Sequence, residues 1–577
     1  MLFFSTPQLF TLSALGAVVC SKILNHYDTR DIWSTLNQSV HGRLHASAPF
    51  ALPCFSSYNG KPFQGDPAAC SSIQKNYNSS LFRDQFFNGY MNFQDEVCAS
   101  VAGDGCLLDN SDPSDPLAYK NVSCNQGSVP EHYIDVQEPD DVIKALKFAK
   151  ETGIRLSIKN SGSSNSGRNS LKGSLGLWVR HLNNISYDRN FTPEGCRAAN
   201  TAQMSVTVGA GVNNGEVMQY SGIHNFTFAG AYADIVGVSG GWVQGGGEGV
   251  LCPVYGLGAD RVLQYKIVTP DGVLRIANAC QNQDLFWALR GGGGGTFGVV
   301  LESTHKVEEA FNVTIANITF PRTPANYLPF VDRIINSTAQ WAQEGWGGNI
   351  NPGIFVTVTP LLSLAQANES LKSITDFALS QNGTAVLESL TYVDFYNKFV
   401  RPFPPPIGTA HALSTRLIPT AMFKTPAARA KMLSFLQNYA KQRSYAYIIP
   451  VGPVLFPHVL NSTSYTPAWL DSYWLLGLHP PEWAWNSTVA QKREVVEATW
   501  TIDKSIEELT PGSGTHFNEA DPFTRDWRQA YWGDNYEPLV QIKRKYDPDG
   551  LLNCFRCVGF EEDDQGFECY RGLGGGQ

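Results

Sequence analysis

Residues 236–249 read Val-Gly-Val-Ser-Gly-Gly-Trp-Val-Gln-Gly-Gly-Gly-Glu-Gly, and a second glycine run, Gly291–Gly295, precedes Thr296-Phe-Gly-Val-Val300. Each glycine in ordered structure costs roughly 0.5–1 kcal/mol relative to alanine, so the runs need a physical reason. A flexible linker is one interpretation, but Trp242 and Phe297 lie in or beside the runs and strand-like segments flank them. The runs therefore indicate ordered backbone that passes close to another group.

A β-α-β pattern precedes the glycine runs. Tyr133–Val136 is predicted to be a strand, a helix is predicted from Pro139 to Gly153, and Ile154–Ile158 alternates as a second strand. The unit ends in the polar turn Asn160-Ser161-Gly162. Small polar residues in such a turn let several backbone N–H groups point at a phosphate, so the turn is a candidate phosphate-binding site.

A nicotinamide-binding fold is another interpretation of the glycines. That fold needs Gly-x-Gly-x-x-Gly between a first parallel strand and a helix, with an acidic residue about twenty positions further on. No glycine run in this sequence has that context. The nicotinamide interpretation therefore fails.

The region after the second glycine run changes character. Residues 301–510 are rich in proline and aromatic residues and are expected to form a second α+β domain. A further helix is predicted over residues 531–546. The strands and helices predicted within the second domain are 314–320, 327–344, 353–358 and 426–442.

Length and charge narrow the class of protein. The chain has 577 residues, too many for one hydrophobic core, which suggests two large domains or one split domain. It carries 43 basic and 52 acidic residues with no Lys/Arg block, which argues against a nucleic-acid partner. No apolar run after the N-terminus is long enough for a membrane helix, so no membrane partner is expected.

The N-terminus and the sequons predict a secreted, N-glycosylated protein. Residues 9–19 form a weakly polar to apolar stretch and cleavage is expected after Cys20, so residues 1–20 are predicted to be a signal peptide. Asn-x-Ser/Thr sequons accept N-glycans in the secretory pathway. They occur at Asn37, Asn78, Asn121, Asn184, Asn190, Asn225, Asn312, Asn317, Asn336, Asn368, Asn382, Asn461 and Asn486.

The cysteines support an oxidising compartment. Of the 12 cysteines, loss of Cys20 leaves an odd number, so one thiol is expected to stay free or to pair between chains. The cysteines from Cys54 to Cys124 are expected to form disulfides that cross-link a loop-rich leader. The Cys554-x-x-Cys557 spacing is compatible with redox or zinc chemistry, but it lacks a second pair or a nearby histidine ligand. A structural role is therefore expected, with no metal.

Together these motifs resemble one family. Residues 129–308 resemble the flavin-binding domain of the vanillyl-alcohol-oxidase/p-cresol-methylhydroxylase (PCMH) superfamily. The resemblance is strongest to the berberine-bridge-like branch, which includes fungal isoamyl-alcohol-oxidase-like proteins. The segments that carry it are Ile158–Arg168, Val236–Gly247, Tyr255–Asp260 and Asp284–Gly298, with Cys124–Pro130, Gly533–Lys543 and Lys545–Pro548 outside that domain.

The resemblance implies the fold and the class of activity. The fold class is α+β, with a two-subdomain PCMH-type FAD-binding domain and an α+β substrate domain that has its own antiparallel sheet. The implied activity is that of an FAD-dependent oxidoreductase that tailors a secondary metabolite. The expected divisions are a signal peptide (1–20), a Cys-rich leader (21–125), the FAD-binding domain (126–308), the substrate domain (309–510) and a C-terminal segment that returns to the flavin (511–577).

The family also implies which residues hold FAD. The loop after the β-α-β unit and the first glycine segment would wrap the diphosphate and the ring system through backbone N–H groups, which glycine allows to approach closely. The residues implied are Asn160, Ser161, Gly162, Ser163, Ser164, Gly167, Arg168, Gly237, Gly240, Gly241, Gly246, Gly247, Val300, Asn535 and Tyr536.

The sequence departs from the family at the covalent anchors. Relatives usually have Thr-Gly-His-Asp, whose histidine bonds to the flavin, where this chain has Ser161-Gly-Ser-Ser164. The cysteine that forms a second bond in some members is replaced by Ala233 or its neighbours. The flavin is therefore expected to be held noncovalently, which suggests either easier oxidations or a reaction without net redox change.

Candidate catalytic residues follow from those two chemistries. A redox-neutral reaction needs an acid, for which Glu537 and Glu248 are candidates, although Glu537 is equally compatible with an exposed helix face. An oxidation needs a base, for which Tyr392, Tyr396 and Tyr536 are candidates. Arg416 resembles a family motif and is also compatible with a purely supporting role.

Three classes of function remain open on these grounds. They are an FAD-dependent oxidase that passes electrons to O2, a flavin-fold isomerase or cyclase with a glutamate acid, and a degenerate binding protein. The intact glycine segments argue against degeneration. The expected partner is a large apolar small molecule, and the protein is expected to be a monomer.

Overall fold

The strands and helices come from a computed structural model that describes residues 29–197, 202–410, 413–442, 445–479, 482–562 and 566–574. The predicted signal peptide lies outside the described residues. The strands in chain order are β1 (Leu44–Ala46), β2 (Ser57–Tyr58), β3 (Lys61–Pro62), β4 (His132–Asp135), β5 (Leu156–Lys159), β6 (Leu175–Trp178), β7 (Ile185–Phe191), β8 (Gln203–Gly209), β9 (Phe226–Thr227), β10 (Val262–Val268), β11 (Leu274–Asn278), β12 (Val299–Lys306), β13 (Glu308–Glu309), β14 (Asn312–Thr319), β15 (Gly347–Asn351), β16 (Ile354–Thr359), β17 (Thr384–Thr391), β18 (Ser414–Pro419), β19 (Tyr447–Ile449) and β20 (Ser472–Leu478).

The helices are distributed among these strands throughout the described residues. In chain order they are α1 (Thr29–Ser39), α2 (Pro67–Asn76), α3 (Ser80–Arg83), α4 (Phe93–Glu96), α5 (Pro139–Thr152), α6 (Asn214–His224), α7 (Cys252–Tyr255), α8 (Gln283–Leu289), α9 (Pro324–Gln343), α10 (Leu364–Ser370), α11 (Lys372–Ser380), α12 (Tyr392–Phe395), α13 (Ala421–Lys424), α14 (Pro426–Gln442), α15 (Val489–Leu509), α16 (Trp527–Trp532), α17 (Tyr536–Tyr546) and α18 (Glu568–Gly574).

The first subdomain contains the predicted β-α-β unit. Its four strands have the order β1-β4-β6-β5, and β6 lies parallel to both β4 and β5. Helix α5 begins at Pro139 and ends at Gly153, which takes the left-handed conformation (φ 72°) that favours glycine at a helix end. The helix buries Val142, Leu146 and Ala149. The sequence prediction of this unit is confirmed.

The second subdomain is an antiparallel sheet that supports the first glycine segment. Its strand order is β11-β10-β12-β8-β7. A π-helical turn, Val238–Trp242, lies on this sheet, and Ser239 Oγ is 2.6 Å from Ser303 Oγ of β12. Both serines are buried. The glycine segment is therefore ordered backbone, as the sequence predicts.

A seven-stranded sheet forms the second large unit. Its strand order is β17-β14-β16-β15-β19-β20-β18, and each pair of neighbouring strands is antiparallel. Helices α9, α11 and α14 contribute Phe330, Ile334, Phe377 and Leu436 to the core on one face. The expected α+β fold with a separate antiparallel sheet is confirmed.

The predicted C-terminal helix over residues 531–546 is wrong in one respect. The structure divides it into α16, a short 3-10 turn over Gly533–Asn535, and α17. Gly533 has φ 54° and ψ −134°, a conformation that ends α16 and that no side-chain-bearing residue adopts readily. The chain therefore turns at Gly533 instead of continuing as one helix.

Five disulfides cross-link the described residues. They are Cys54–Cys70, Cys98–Cys569, Cys106–Cys124, Cys196–Cys280 and Cys554–Cys557. The free thiol expected from the odd count is Cys252, which is buried. Cys554 and Cys557 form a disulfide, and the structural role of this pair stays a prediction. Within the described part of the chain, no helix is both long and apolar enough to cross a bilayer.

Candidate functional site

A large cavity lies between the FAD-type subdomains and the seven-stranded sheet. Its volume is about 570 Å³, which falls in the range of roughly 300–1,000 Å³ typical of small-molecule sites. We call it the central cavity. Its walls come from the loop after β5, the first glycine segment, Gly294–Gly295, strands β15 and β19, and the C-terminal segments His516–Glu519 and Leu552–Phe555.

The loop after β5 forms one wall of the central cavity. All its predicted cofactor residues line the cavity: Asn160, Ser161, Gly162, Ser163, Ser164, Gly167 and Arg168. Gly162 has φ 82°, and a Cβ atom there would lie 2.7 Å from Lys159 Cε. Ser164 Oγ accepts from the backbone N–H groups of Ser166 (3.3 Å) and Arg168 (3.2 Å), which folds the loop back on itself.

The first glycine segment forms the facing wall. Gly237, Gly240 and Gly241 line the cavity, as does Val300 at the start of β12. A Cβ atom on Gly237 would lie 2.4 Å from Asn160 Nδ2, so only glycine lets the two segments approach this closely. The second run meets the first, because a Cβ on Gly294 would lie 3.0 Å from Gly241 Cα.

Gly246 and Gly247 are outside the cavity lining. Gly247 accepts a hydrogen bond from the backbone N–H of Gly258 (2.7 Å), and Gly246 accepts one from that of Ala259 (2.9 Å). Both have positive φ, 122° and 82°. The two glycines form a turn whose carbonyls bind the backbone of residues 258–259. The structure therefore does not support their prediction as cofactor contacts.

Arg168 and Asn160 provide a test of whether FAD fits this site. Arg168 donates to the carbonyls of Phe555 (3.3 Å) and Phe517 (3.4 Å), and among the described residues it has no ion pair with a carboxylate. Its buried Nη2 and the buried Oδ1 of Asn160 have no hydrogen-bond partner in the part of the chain that the structure describes. An unneutralised guanidinium beside closely packed glycine backbone fits an anionic, polar ligand such as the diphosphate of FAD.

Three carboxyl groups, those of Glu248, Glu482 and Glu519, line the same cavity. Glu248, a predicted candidate acid, is partly buried in the wall, and burial raises its pKa to about 8, with the charge of Glu519 adding to the shift. Glu519 also lines the cavity and was not predicted. Because a carboxyl with a pKa near 8 keeps its proton at neutral pH, Glu248 is able to donate that proton.

The C-terminal segment reaches the cavity at residues that the sequence interpretation missed. Asn518 Nδ2 donates to the carbonyls of Gly241 (2.8 Å) and Trp242 (3.1 Å) and so fixes the glycine segment. His516 is buried in the lining, and burial lowers its pKa to about 3, which keeps it neutral. The glycine segment itself is the sequence signal for such a residue. Glycines have no side chains that could hydrogen-bond to the backbone of the segment, so a residue from another part of the chain has to do so.

The seven-stranded sheet supplies a polar wall that the sequence interpretation also missed. Asn349 and Asn351 of β15 line the cavity, and Asn351 Nδ2 donates to Asn349 Oδ1 (2.8 Å). Tyr447 of β19 and His479, which follows β20, lie in the same wall, with ring centroids 4.9 Å apart. The alternation of polar residues on β15 is the one sequence signal that could have indicated this face.

The structure does not support Glu537, Asn535 or Tyr536 as cavity residues. Glu537 is exposed in the first turn of α17. Asn535 Nδ2 donates to the carbonyl of Tyr465 (2.9 Å), and the Tyr536 ring packs edge-on against Trp527 at 5.5 Å. After the turn at Gly533 this segment lies outside the cavity lining, whereas residues 516–519 line the cavity.

The candidate bases Tyr396 and Tyr392 also lie outside the lining. Tyr396 donates its hydroxyl hydrogen to Asp234 Oδ1 (2.6 Å) and accepts from Asn214 Nδ2 (3.0 Å). Burial raises the pKa of Tyr396 and of Tyr392 far above the ordinary value for tyrosine. Both tyrosines therefore stay protonated. Tyr396 binds Asp234 outside the cavity and does not have the position expected of a catalytic base.

Arg416 supports the domain structure. Its Nε donates to Thr510 Oγ1 (3.0 Å) and its Nη2 to the Thr510 carbonyl (2.9 Å), which ties β18 to the end of α15. It does not line the central cavity. This is the supporting role that the sequence left open.

Comparisons with known proteins agree with the geometry. The family described as "FAD binding domain" matches residues 130–278, and "Berberine and berberine like" matches residues 515–556. FAD-linked oxidoreductase ffsJ of Aspergillus flavipes is 39% identical, covering 92% of this chain and 92% of that protein. Bifunctional decalin synthase calF of Penicillium decumbens is 29% identical, covering 91% and 90%. The crystal structure of the VAO-type flavoprotein MtVAO615 from Myceliophthora thermophila has a TM-score of 0.78 at 26% identity, covering 92% of this chain and 95% of that one.

Fold and site together define a VAO-type flavoprotein with a berberine-like C-terminal segment. The chain belongs to the FAD-linked oxidoreductases, and it is an FAD-dependent enzyme of that class.

Proposed function

We propose that this oxidoreductase holds FAD without a covalent bond. The observation that supports the proposal is that Ser163 lies in the wall of the central cavity. The family resemblance implies the anchoring histidine at this position. Ala233 lines the same cavity near the expected place of the second anchor. A hydroxymethyl and a methyl group offer no ring nitrogen or thiol for a bond to the flavin.

The proposed reaction is oxidation of an alcohol, amine or C–C bond with O2 as acceptor. Bound FAD supplies the two-electron chemistry: the substrate loses two electrons and two protons, and O2 takes them up as H2O2. The chain binds and orients the substrate between the glycine segment and β15. Glu519 is placed to take up the proton that leaves the substrate, because it lies in the cavity wall.

The proposed substrate is a large secondary metabolite that is mainly apolar. Support for this class comes from the aliphatic residues Ile407, Leu413 and Ile449 in the cavity wall. The polar wall of Asn349, Asn351 and His479 favours a metabolite that also carries carbonyl or hydroxyl groups. The relative calF, which bears a biosynthetic name, fits this view.

A test of the oxidase proposal uses anaerobic mixing. The purified holoenzyme is mixed without O2 with a panel of apolar alcohols, amines and polyenes, and flavin absorbance is followed. Bleaching that reverses on admission of O2, with formation of H2O2, supports oxidation. Turnover of a panel member without bleaching or O2 uptake contradicts it.

A redox-neutral isomerase or cyclase is the second candidate function. The specific observation in its favour is that Glu248 carries a proton at neutral pH and faces the cavity, because burial and Glu519 raise its pKa to about 8. In this reaction Glu248 gives a proton to one carbon of a double-bond system, and a neighbouring base takes one from another carbon. No electrons are exchanged, so O2 consumption would be zero.

The surroundings of the enzyme are part of the proposal. Five disulfides support passage through an oxidising compartment, and the sequons support N-glycosylation there. We expect secretion as a monomer. Digestion with an N-glycosidase tests the expected N-glycosylation, and size-exclusion chromatography of the digested protein tests the expected monomeric state.

A further inference from the structure

The leader and the C-terminal tail are linked to each other. Cys98 of the leader forms a disulfide with Cys569 of α18, across a sequence separation of 471 residues. Ser100 Oγ donates to the carbonyl of Glu568 (2.5 Å) beside it. Both partners lie outside the two matched family regions, residues 130–278 and 515–556.

Leader residues 91–95 are hydrogen-bonded to the loop that forms one wall of the central cavity. The Met91 N–H donates to the Gly162 carbonyl (3.1 Å), and Asn92 Nδ2 donates to that of Ser164 (2.9 Å). Further along, Gln94 Nε2 donates to the carbonyl of Asn165 (2.8 Å). The loop carbonyls at positions 162, 164 and 165 are thus fixed from outside the FAD-type domain.

Asp95 extends this contact to the end of the loop. Its Oδ1 accepts from the backbone N–H of Asn169 (3.2 Å), and its carbonyl accepts from Ser170 Oγ (2.6 Å). Asp95 is fully buried, so these hydrogen bonds are shielded from water. In low-dielectric surroundings such bonds hold backbone geometry firmly.

The tail holds the same loop from the other side. Tyr570 of α18 donates its hydroxyl hydrogen to the Gly167 carbonyl, and its ring stacks on Phe555 with centroids 4.8 Å apart. Gly167 lies between leader and tail, because a Cβ on it would be 2.6 Å from Tyr570 Oη and 3.1 Å from the Gln94 carbonyl. Phe555, Phe567 and Tyr570 themselves line the cavity.

We infer that the leader–tail clamp, residues 91–98 and 567–570 joined by Cys98–Cys569, retains FAD in this enzyme in place of a covalent bond. It does so by holding the loop of residues 162–170 in its binding shape before the cofactor arrives, so that little order is lost on binding. The disulfide keeps the tail against the loop. This inference rests on the proposed noncovalent state of the flavin.

The test measures the FAD dissociation rate of the holoenzyme by the fluorescence of released flavin. The double variant C98S/C569S is compared with C54S/C70S, which removes a leader disulfide that does not join the tail. We expect C98S/C569S to release FAD about tenfold faster or more, and C54S/C70S to match the wild type. Equal rates for all three proteins would overturn the inference.

A milder variant provides a second test in case the double cysteine variant does not fold. Y570F keeps the ring that stacks on Phe555 and removes only the hydrogen bond to Gly167, so FAD should leave about two- to tenfold faster. An unchanged rate in Y570F would also count against the clamp. Acid precipitation of the wild type separates the two proposals: flavin that stays on the precipitated chain refutes noncovalent binding, whereas released flavin with unaltered variants refutes the clamp alone.

Discussion

Gly237 and Asn160 lie in contact across the two FAD-type subdomains, so close that a Cβ atom on Gly237 would be 2.4 Å from Asn160 Nδ2. That amide nitrogen donates to the carbonyl of Ala210, so it has little freedom to move away. Gly237 begins the glycine segment and Asn160 begins the loop after β5. Their contact sets the spacing of two walls of the central cavity.

Gly237→Ala should therefore damage the protein even without cofactor. The added methyl group must displace Asn160 or the glycine backbone, and overpacking of this kind typically costs about 1–3 kcal/mol of unfolding free energy. Gly241→Ala is the matched comparison, because no protein atom lies within 4 Å of a Cβ placed there. Chemical denaturation of the apo-proteins should show a loss for G237A and none for G241A, whereas G241A should still bind FAD more weakly if the flavin lies against it.

Glu248→Gln tests proton transfer. If Glu248 donates a proton in the reaction, its loss should lower kcat by about 10²–10⁴-fold, the usual contribution of a positioned acid. Glu537→Gln is the control, since Glu537 is exposed on α17 and outside the lining. An E248Q enzyme as active as E537Q would remove Glu248 from the mechanism.

The pH dependence of stability provides an independent check on Glu248. Its pKa is raised to about 8 in the folded state, above the ordinary value of 4.5, so the folded protein binds the proton more tightly than the unfolded chain. Ionisation therefore destabilises the fold progressively as the pH rises from about 4.5 to 8, and the penalty is constant above that. E248Q should gain stability relative to wild type at pH 8–9 and show little difference near pH 4. A gain that is the same at both pH values would show that the pKa is not raised.

Tyr396→Phe should lower stability and leave the chemical step intact. The change removes the hydrogen bond to Asp234 and leaves that carboxylate with one partner fewer, for a cost of about 1–3 kcal/mol. Thermal unfolding and kcat are measured on the same preparation. A large fall in kcat at unchanged stability would restore the catalytic role that the sequence suggested.

The sequence predicts most of the scaffold because the determining signals are local. The amphipathic helix that ends at Gly153 and the strand that leads into Asn160 follow from periodicity and capping within a few residues. The glycine pattern predicts a close backbone approach, and the structure shows that Gly237 makes one with Asn160.

The sequence predicts the catalytic side of the site less well. Glu519, Asn349 and Tyr447 come from three distant segments that only the tertiary fold brings to one cavity. Glu537 was favoured for its place beside Asn535-Tyr536, but Gly533 turns that segment away. The helix α16 ends at the positive-φ residue Gly533, and Glu537 then lies exposed outside the lining, which no periodicity in the chain reveals.

Mass spectrometry of the wild-type chain after denaturation and deglycosylation tests most directly whether FAD is bound without a covalent bond. With Ser163 in place of an anchoring histidine, we expect a polypeptide mass without flavin, with FAD recovered in the soluble fraction. A polypeptide that retains the mass of FAD, with the flavin mapped to any peptide of the chain, would contradict it.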